Sequence, residues 1–290
     1  MLTFTWVALR FIHFTALMLV FGCALYSAWL APFSIRRLMA RRFLRLQQHA
    51  ATWSFISAAL MFMVQGGLMG SGWPDVFSVP VWAAVLQTQF GGVWLWQIIL
   101  AFVTLGVVLI VPRNLPRLLL ILTLGQLLFL AGVGHAAVHH GVLGGLVKTN
   151  YALHLICAAA WFGGLLPVIY CMRIARTRWR EQAIDTMMRF SRYGHAFVAG
   201  VLLTGIFNLL FITGFTAPWH TAYGQLLVLK IALVLLMVAI ALTNRYVLVP
   251  RMREENHRAN LWFIWMTQIE WGIGGVVLAI VSLFATLEPF

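Results

Sequence analysis

With 290 residues, 62% of them hydrophobic and only 9% charged, the chain lies far from the roughly 45–50% apolar and about 25% charged make-up of soluble domains, and a water-soluble fold is excluded. The formal charge of +13 would suit nucleic acid in a soluble protein. Here, however, nearly all the basic residues sit in short connectors between apolar runs, which records membrane topology and excludes a nucleic-acid groove.

A membrane helix needs about 20 apolar residues, and eight such runs are read in chain order at 4–31, 46–70, 91–112, 117–138, 150–172, 191–214, 225–248 and 261–286. Their length and the absence of period-two alternation predict an all-α, polytopic protein of eight transmembrane helices rather than a barrel. The first run is read as a span and not a signal peptide, because its basic cluster follows the apolar stretch instead of preceding it. Cys23, Cys157 and Cys171 all fall inside apolar runs, so neither a disulfide framework nor a CxxC knuckle can be drawn.

The connectors alternate in charge. Those after the first, third, fifth and seventh runs hold 17 of the 20 basic residues, from Arg36 to Arg45, Arg113 and Arg117, Arg173 to Arg192, and Arg245 to Arg258. The positive-inside rule puts these four in the cytoplasm and both termini on the outer side. The opposite connectors carry Trp73, Trp82 and Trp219, suited to an interfacial aromatic belt, and one basic residue, Lys148.

The two halves resemble each other. His13 lies nine residues before Gly22, as His154 lies nine before Gly163; His49 follows Arg45 as His195 follows Arg192. Thr88-Gln-Phe-Gly91 precedes Gln97 as Thr221-Ala-Tyr-Gly224 precedes Lys230, and Val-Pro-Arg closes both helices at 111–113 and 249–251. Four matches in one order predict two parallel four-helix repeats, 1–145 and 146–290, related by an axis along the membrane normal.

The segment 189–251 holds Phe190-Ser-Arg192, Leu203-Thr-Gly205 with Asn208, Trp219, Thr221-Ala-Tyr-Gly224-Gln-Leu-Leu227, Lys230, Asn244-Arg245 and Pro250-Arg251. Polar residues at fixed spacing inside apolar helices are rare, and this block resembles the copper resistance protein D (CopD) family of bacterial inner-membrane proteins. The length, the eight runs and the first-half histidines resemble its enterobacterial members in particular. The resemblance implies a multi-pass protein of the bacterial inner membrane that handles copper, takes it up or moves it between periplasm and cytoplasm, and works alongside a small periplasmic CopC-like copper-binding protein.

Against that implication each polar residue has a plainer reading. His13 and His154 stand at matched depth and are candidates for one central metal site, since imidazole with soft sulfur suits copper as Cu(I); the alternative is a hydrogen bond to a neighbouring helix. Cys157, one turn after His154, and Met69, at the periplasmic end of the second run, are candidate sulfur ligands that also serve as packing. His135, His139 and His140 crowd the periplasmic end of the fourth run, with His135 and His139 on one face, and His220 stands in a periplasmic connector; these are candidate capture ligands, or interfacial histidines in water. His49 and His195 form a candidate cytoplasmic-side pair matching His13 and His154, and two such stacked sites would also suit two bis-histidine haems b in an electron-transfer protein. Glu270, a carboxylate inside the last run, is read as paired with Arg245 or as a proton or cation relay. Lys230 can snorkel to the surface. The stretch 141–149 imitates a phosphate loop, but Val147 stands where glycine is required, and no HExxH, GxSxG or CxxCH occurs, so no enzyme is expected.

The charge alternation makes a direct prediction. A reporter active only in the cytoplasm will be silent when fused after Phe290 and active when fused within 173–190; a bright C-terminal fusion would invert the whole assignment.

Overall fold

Apolar segments in lipid can satisfy their backbone only within the segment or in a closed barrel, and this chain takes the first course throughout. The structure, a computed structural model, describes residues 1–110, 116–133, 141–213, 220–252, 257–284 and 286–287. Helix α1 (Leu2–Leu25) runs on through a π turn at Tyr26–Leu30, followed by α2 (Phe33–Met69), the short α3 (Trp73–Val76) and α4 (Val79–Leu86), α5 (Gln89–Ile110) and α6 (Pro116–Leu130). Then come α7 (Gly141–Ile174), α8 (Arg180–Thr213), α9 (Ala222–Thr243) with a second π turn at Asn244–Leu248, α10 (Val249–Met252) and α11 (His257–Phe284). Among the described residues, 7 helices are long and apolar enough to cross a membrane, and no element is a strand. The protein is an all-α, multi-pass membrane protein.

Two boundaries differ from the sequence expectation. The arginine-rich connector before the second span is itself helical, so α2 has 37 residues. At 1.5 Å per residue that is about 55 Å, well beyond the hydrocarbon thickness of about 30 Å; Arg, Leu, Gln and Ala are all strong helix formers, and nothing in the connector stops them. The fourth expected span, 117–138, appears as the 15-residue α6 followed by a turn at 131–133, a helix of only about 22 Å.

Helices α1 and α7 form the centre, α1 packing on α2, α6, α7 and α11, and α7 on α8, α11, α1 and α6. They touch backbone to backbone. A Cβ added to Gly22 would lie 2.1 Å from the Gly163 carbonyl carbon, and one added to Gly163 would lie 2.1 Å from the Met18 carbonyl oxygen. Pro167, inside α7, has no N–H to return to the carbonyl four residues earlier, so the Gly163 carbonyl is free of its helical partner at the point where Gly22 meets it. Small residues are what allow such an approach in a membrane, where lipid offers helices no hydrophobic reason to associate.

Around this crossing the first half closes tightly. Trp94 Nε1 donates to the Ala58 carbonyl across α5 and α2 at 2.8 Å, and Gln126 Nε2 to Thr104 Oγ1 across α6 and α5 at 2.8 Å. In the second half α9 packs on α11, while α8 and α9 together line two cavities. Both α5 and α9 begin on the same cap: Thr88 Oγ1 accepts the Gly91 N–H and Thr221 Oγ1 the Gly224 N–H, each at 3.1 Å.

A methyl group at Gly22 has only backbone to push against, whereas Gly92 has nothing within 4 Å of an added Cβ. Gly92→Ala will leave the thermal midpoint of the detergent-purified protein unchanged or raise it, as helix propensity favours alanine. Gly22→Ala will lower it by the equivalent of about 1–3 kcal/mol despite the same propensity gain; equal midpoints would show that the crossing does not hold the bundle.

Candidate metal pathway

The two central histidines are held differently. His13 is fully buried. Its Nδ1 lies 3.0 Å from the Ser54 carbonyl oxygen and 3.2 Å from Ser57 Oγ. A carbonyl can only accept, so Nδ1 carries the proton and Nε2 is the lone pair. Gln97 Nε2 donates to that lone pair at 3.0 Å. Both nitrogens of His13 are therefore used by the protein, and the residue lines neither cavity.

His154 has a different arrangement. Its Nδ1 lies 2.9 Å from Thr204 Oγ1, and that hydroxyl gives its own proton to the Gly200 carbonyl. Thr204 must therefore accept from His154 Nδ1–H, which leaves Nε2 as a lone pair on a residue that lines a cavity of about 840 Å³. Asn150 Nδ2 donates to the Thr204 carbonyl at 3.1 Å and to Asn208 Oδ1 at 2.9 Å, fixing α8 against α7 beside the imidazole. An N–H held by an outer partner is how proteins set the tautomer and orientation of a metal-binding imidazole. The same cavity is lined by Met18, Met61 and Met237 and by the cations Arg10 and Lys230, the lysine Nζ standing 5.5 Å from the Phe284 ring centroid. Residues from the arginine-poor ends of the helices, among them Trp6, Leu68, Phe90, Tyr223 and Phe284, also line it.

A second cavity, of about 860 Å³, lies toward the arginine-rich end, lined by Met172, Met187 and Met188, by Arg176, Arg180 and Arg245, and by His195, Asn244 and Glu270. Trp161 lines both cavities, and it is the one residue they share among those that line them. Its indole N–H donates to Glu270 Oε1 at 2.8 Å. The expected pairing of Glu270 with Arg245 is not what is found: Arg245 Nη1 reaches Met188 Sδ at 3.5 Å, and the carboxylate takes the tryptophan instead. The ring that bonds it comes from the adjacent α7.

The other sequence candidates scatter. Cys157 Sγ packs against Gly200 on α8, where an added Cβ would meet it at 2.5 Å, and does not line the cavity of His154. Met69 is 56% exposed at the end of α2 and lines neither cavity. His220 and His49 are exposed. His195 is exposed at the arginine-rich end, its Nδ1 2.7 Å from the Ser191 carbonyl oxygen and its Nε2 3.1 Å from Tyr246 Oη. His135, His139 and His140 lie outside the described residues. Among the described residues no three His, Cys, Asp or Glu side chains converge. Trp161, Thr204 and Met237 were missed in the sequence because tryptophan, threonine and methionine are ordinary membrane residues; the Leu203-Thr-Gly205 motif was the one available signal.

Comparison with known proteins gives a consistent picture. The family described as copper resistance protein D-like, N-terminal domain, matches residues 1–145, and the family copper resistance protein D matches 184–284. The inner membrane protein YebZ of Escherichia coli (strain K12) is 66% identical over 290 residues, covering 100% of both chains. Copper resistance protein D of Pseudomonas syringae pv. tomato is 31% identical, covering 98% of this chain and 96% of its own. Copper transport protein CutJ of Bacillus subtilis (strain 168) is 26% identical over 97% of this chain and 54% of its own. No solved structure matches.

The two histidines make opposite predictions for stability. Gln97→Leu strands a buried acceptor on His13 and will destabilise the purified protein by about 1–3 kcal/mol, read as a lower thermal midpoint. Thr204→Val beside His154 will shift it less, because that imidazole faces a cavity. Equal shifts would mean the two sites are built alike.

Proposed function

The chain belongs to the copper resistance protein D family, and we propose that it takes up copper at the periplasmic face of a bacterial inner membrane and passes it toward the cytoplasm through the two cavities flanking α7. The observation that carries this reading is the free Nε2 of His154 in a cavity that also holds Met18, Met61 and Met237. Imidazole with thioether sulfur is a soft donor set that suits Cu(I). The second cavity continues the supply of sulfur with Met172, Met187 and Met188, so the ion would move by ligand exchange, with no covalent catalysis and hence no enzyme activity.

The arrangement of arginines supports the orientation of the two cavities. Arg176, Arg180 and Arg245 line the second cavity, which the positive-inside rule turns to the cytoplasm. The His154 cavity then faces the periplasm, where a CopC-like carrier would deliver copper. Capture by His135, His139, His140 or His220 remains part of the proposal, as does the two-repeat organisation, for which the crossing at the matched residues Gly22 and Gly163 is the best support. In this scheme His13 is the structural counterpart of His154, its ligand lone pair occupied by Gln97.

One observation favours a second reading. Arg10 and Lys230 share the cavity with His154, and two cations beside an imidazole in a space of this size would also suit haem b, its propionates paired with the cations and its iron held by His154. Bound haem would supply one-electron chemistry, and the protein would supply only the imidazole and the charges.

Two measurements decide. The purified protein will be nearly colourless and bind Cu(I), whose filled d shell gives no visible band; a stoichiometric Soret band lost in His154→Ala would establish the haem reading. Cu(I) affinity in a competition assay will fall at least about tenfold in His154→Ala, and also in Thr204→Val through loss of the outer partner. Met69→Leu will match the parent; an unchanged affinity in His154→Ala would overturn the site.

A further inference from the structure

One side chain lines both cavities, within a cluster that holds Leu165, Val201 and Met237, and its only polar atom is bonded to the one carboxylate found in their linings: Trp161 Nε1 to Glu270 Oε1, 2.8 Å. Glu270 is 2% exposed. One turn earlier on α11, Thr267 gives its hydroxyl proton to the Phe263 carbonyl at 2.8 Å and accepts from Asn244 Nδ2 at 3.3 Å. Asn244 opens the π turn that interrupts α9, is 5% exposed, lines the same cavity as Glu270, and its Oδ1 has no hydrogen-bond partner. A buried acceptor left unpaired is costly. The amide's partner Thr267 stands one turn before Glu270 on α11, and π turns recur at functional sites.

We propose that Glu270 is a proton-binding site that controls the passage between the two cavities through its hydrogen bond to Trp161. With the carboxylate ionised, the indole N–H donates to a charged oxygen, a strong bond that holds the ring in place. When the carboxylate takes one proton from water in the arginine-lined cavity, the bond to the indole becomes neutral and weaker. The new O–H needs an acceptor, which Asn244 Oδ1 provides. Trp161 is then free to turn, and the two cavities join.

The ligand is a proton and not a hard metal cation, because the oxygens at hand are those of Glu270, Asn244 and Thr267, fewer than such a cation collects. The charged and titratable groups facing the same space are Arg176 beyond α7, Arg180 and His195 on α8, and Arg245 after α9; all of them oppose added positive charge, and a proton relayed through water adds it without needing a shell of oxygens. The site rests on the proposed copper route for what the gate would pass, but proton binding does not.

The test uses the purified full chain in lipid nanodiscs without copper. Intrinsic tryptophan fluorescence is recorded as pH is varied at constant ionic strength, with sodium chloride and potassium chloride compared. A pH-dependent change is expected that is absent in Trp161→Phe and in Glu270→Gln, and shifted in midpoint in Asn244→Leu, with correct folding of each variant checked by gel filtration and thermal midpoint. A response kept in Glu270→Gln, or one driven by sodium rather than pH, overturns the proposal. In proteoliposomes, copper uptake by the parent will depend on an imposed pH gradient and uptake by Glu270→Gln will not. Uptake equally dependent on the gradient in both overturns the coupling. Absence of copper movement with the fluorescence response intact sinks the copper route and leaves the proton site standing.

Discussion

Everything in this bundle depends on two helices approaching so closely that neither can carry a side chain at the point of contact. In water such a crossing would be one contribution among many, but lipid removes the hydrophobic drive between helices and leaves close packing to hold them. Gly22 and Gly163 meet with no room for a methyl group, and Pro167 relieves the Gly163 carbonyl of its helical bond at the same place. Because His13 and His154 each lie nine residues before those glycines, the crossing sets both at one depth, about 13 Å along the helix axis from the contact. It also runs α7 along both cavities, with Trp161, two residues before the crossing glycine, lining each of them.

In the proposed two-repeat organisation the halves put one scaffold to different ends. In the first, polar side chains reach across to neighbouring helices: Gln97 to His13, Gln126 to Thr104, Trp94 to the Ala58 carbonyl. In the second, the position that matches Gln97 is Lys230. A glutamine amide can cap an imidazole lone pair, whereas an ammonium would have to be dehydrated to do so, and Lys230 instead faces the cavity. One substitution at a matched position thus separates an imidazole committed to structure from one whose nitrogen is available to a ligand.

Composition and run length made the class of fold legible, because lipid permits so few solutions; arginine placement gives the expected orientation. The helix ends were less so, since a connector built of Arg, Leu and Gln carries no stop signal and simply continues the helix, as α2 does. For the site, the sequence pointed to His154 and Glu270 by their chemistry but could not tell His154 from His13, because the difference lies in Gln97 and Thr204, partners on other helices. It suggested Arg245 for Glu270 on charge alone. Trp161 is invisible as a partner in one dimension: an indole in a membrane helix is ordinary until a carboxylate from 109 residues away accepts its proton.

A channel open at both ends would dissipate the ion gradients a bacterial membrane maintains, so any route for copper needs a barrier that copper can cross and water or sodium cannot cross freely. Thioether sulfurs lie on both sides, from Met18, Met61 and Met237 in one cavity and Met172, Met187 and Met188 in the other, so on the proposed route selectivity need not reside in the barrier itself. The barrier must be large, apolar and movable. Tryptophan meets the first two conditions with its ring, which is packed in one cluster with Leu165, Val201 and Met237, and its single N–H supplies a handle for the third, because the bond to the carboxylate is the one contact of the ring that protonation weakens. A phenylalanine there would separate the cavities equally well but would have nothing by which to be held or let go, which is why the carboxylate and the indole have to be understood as one device.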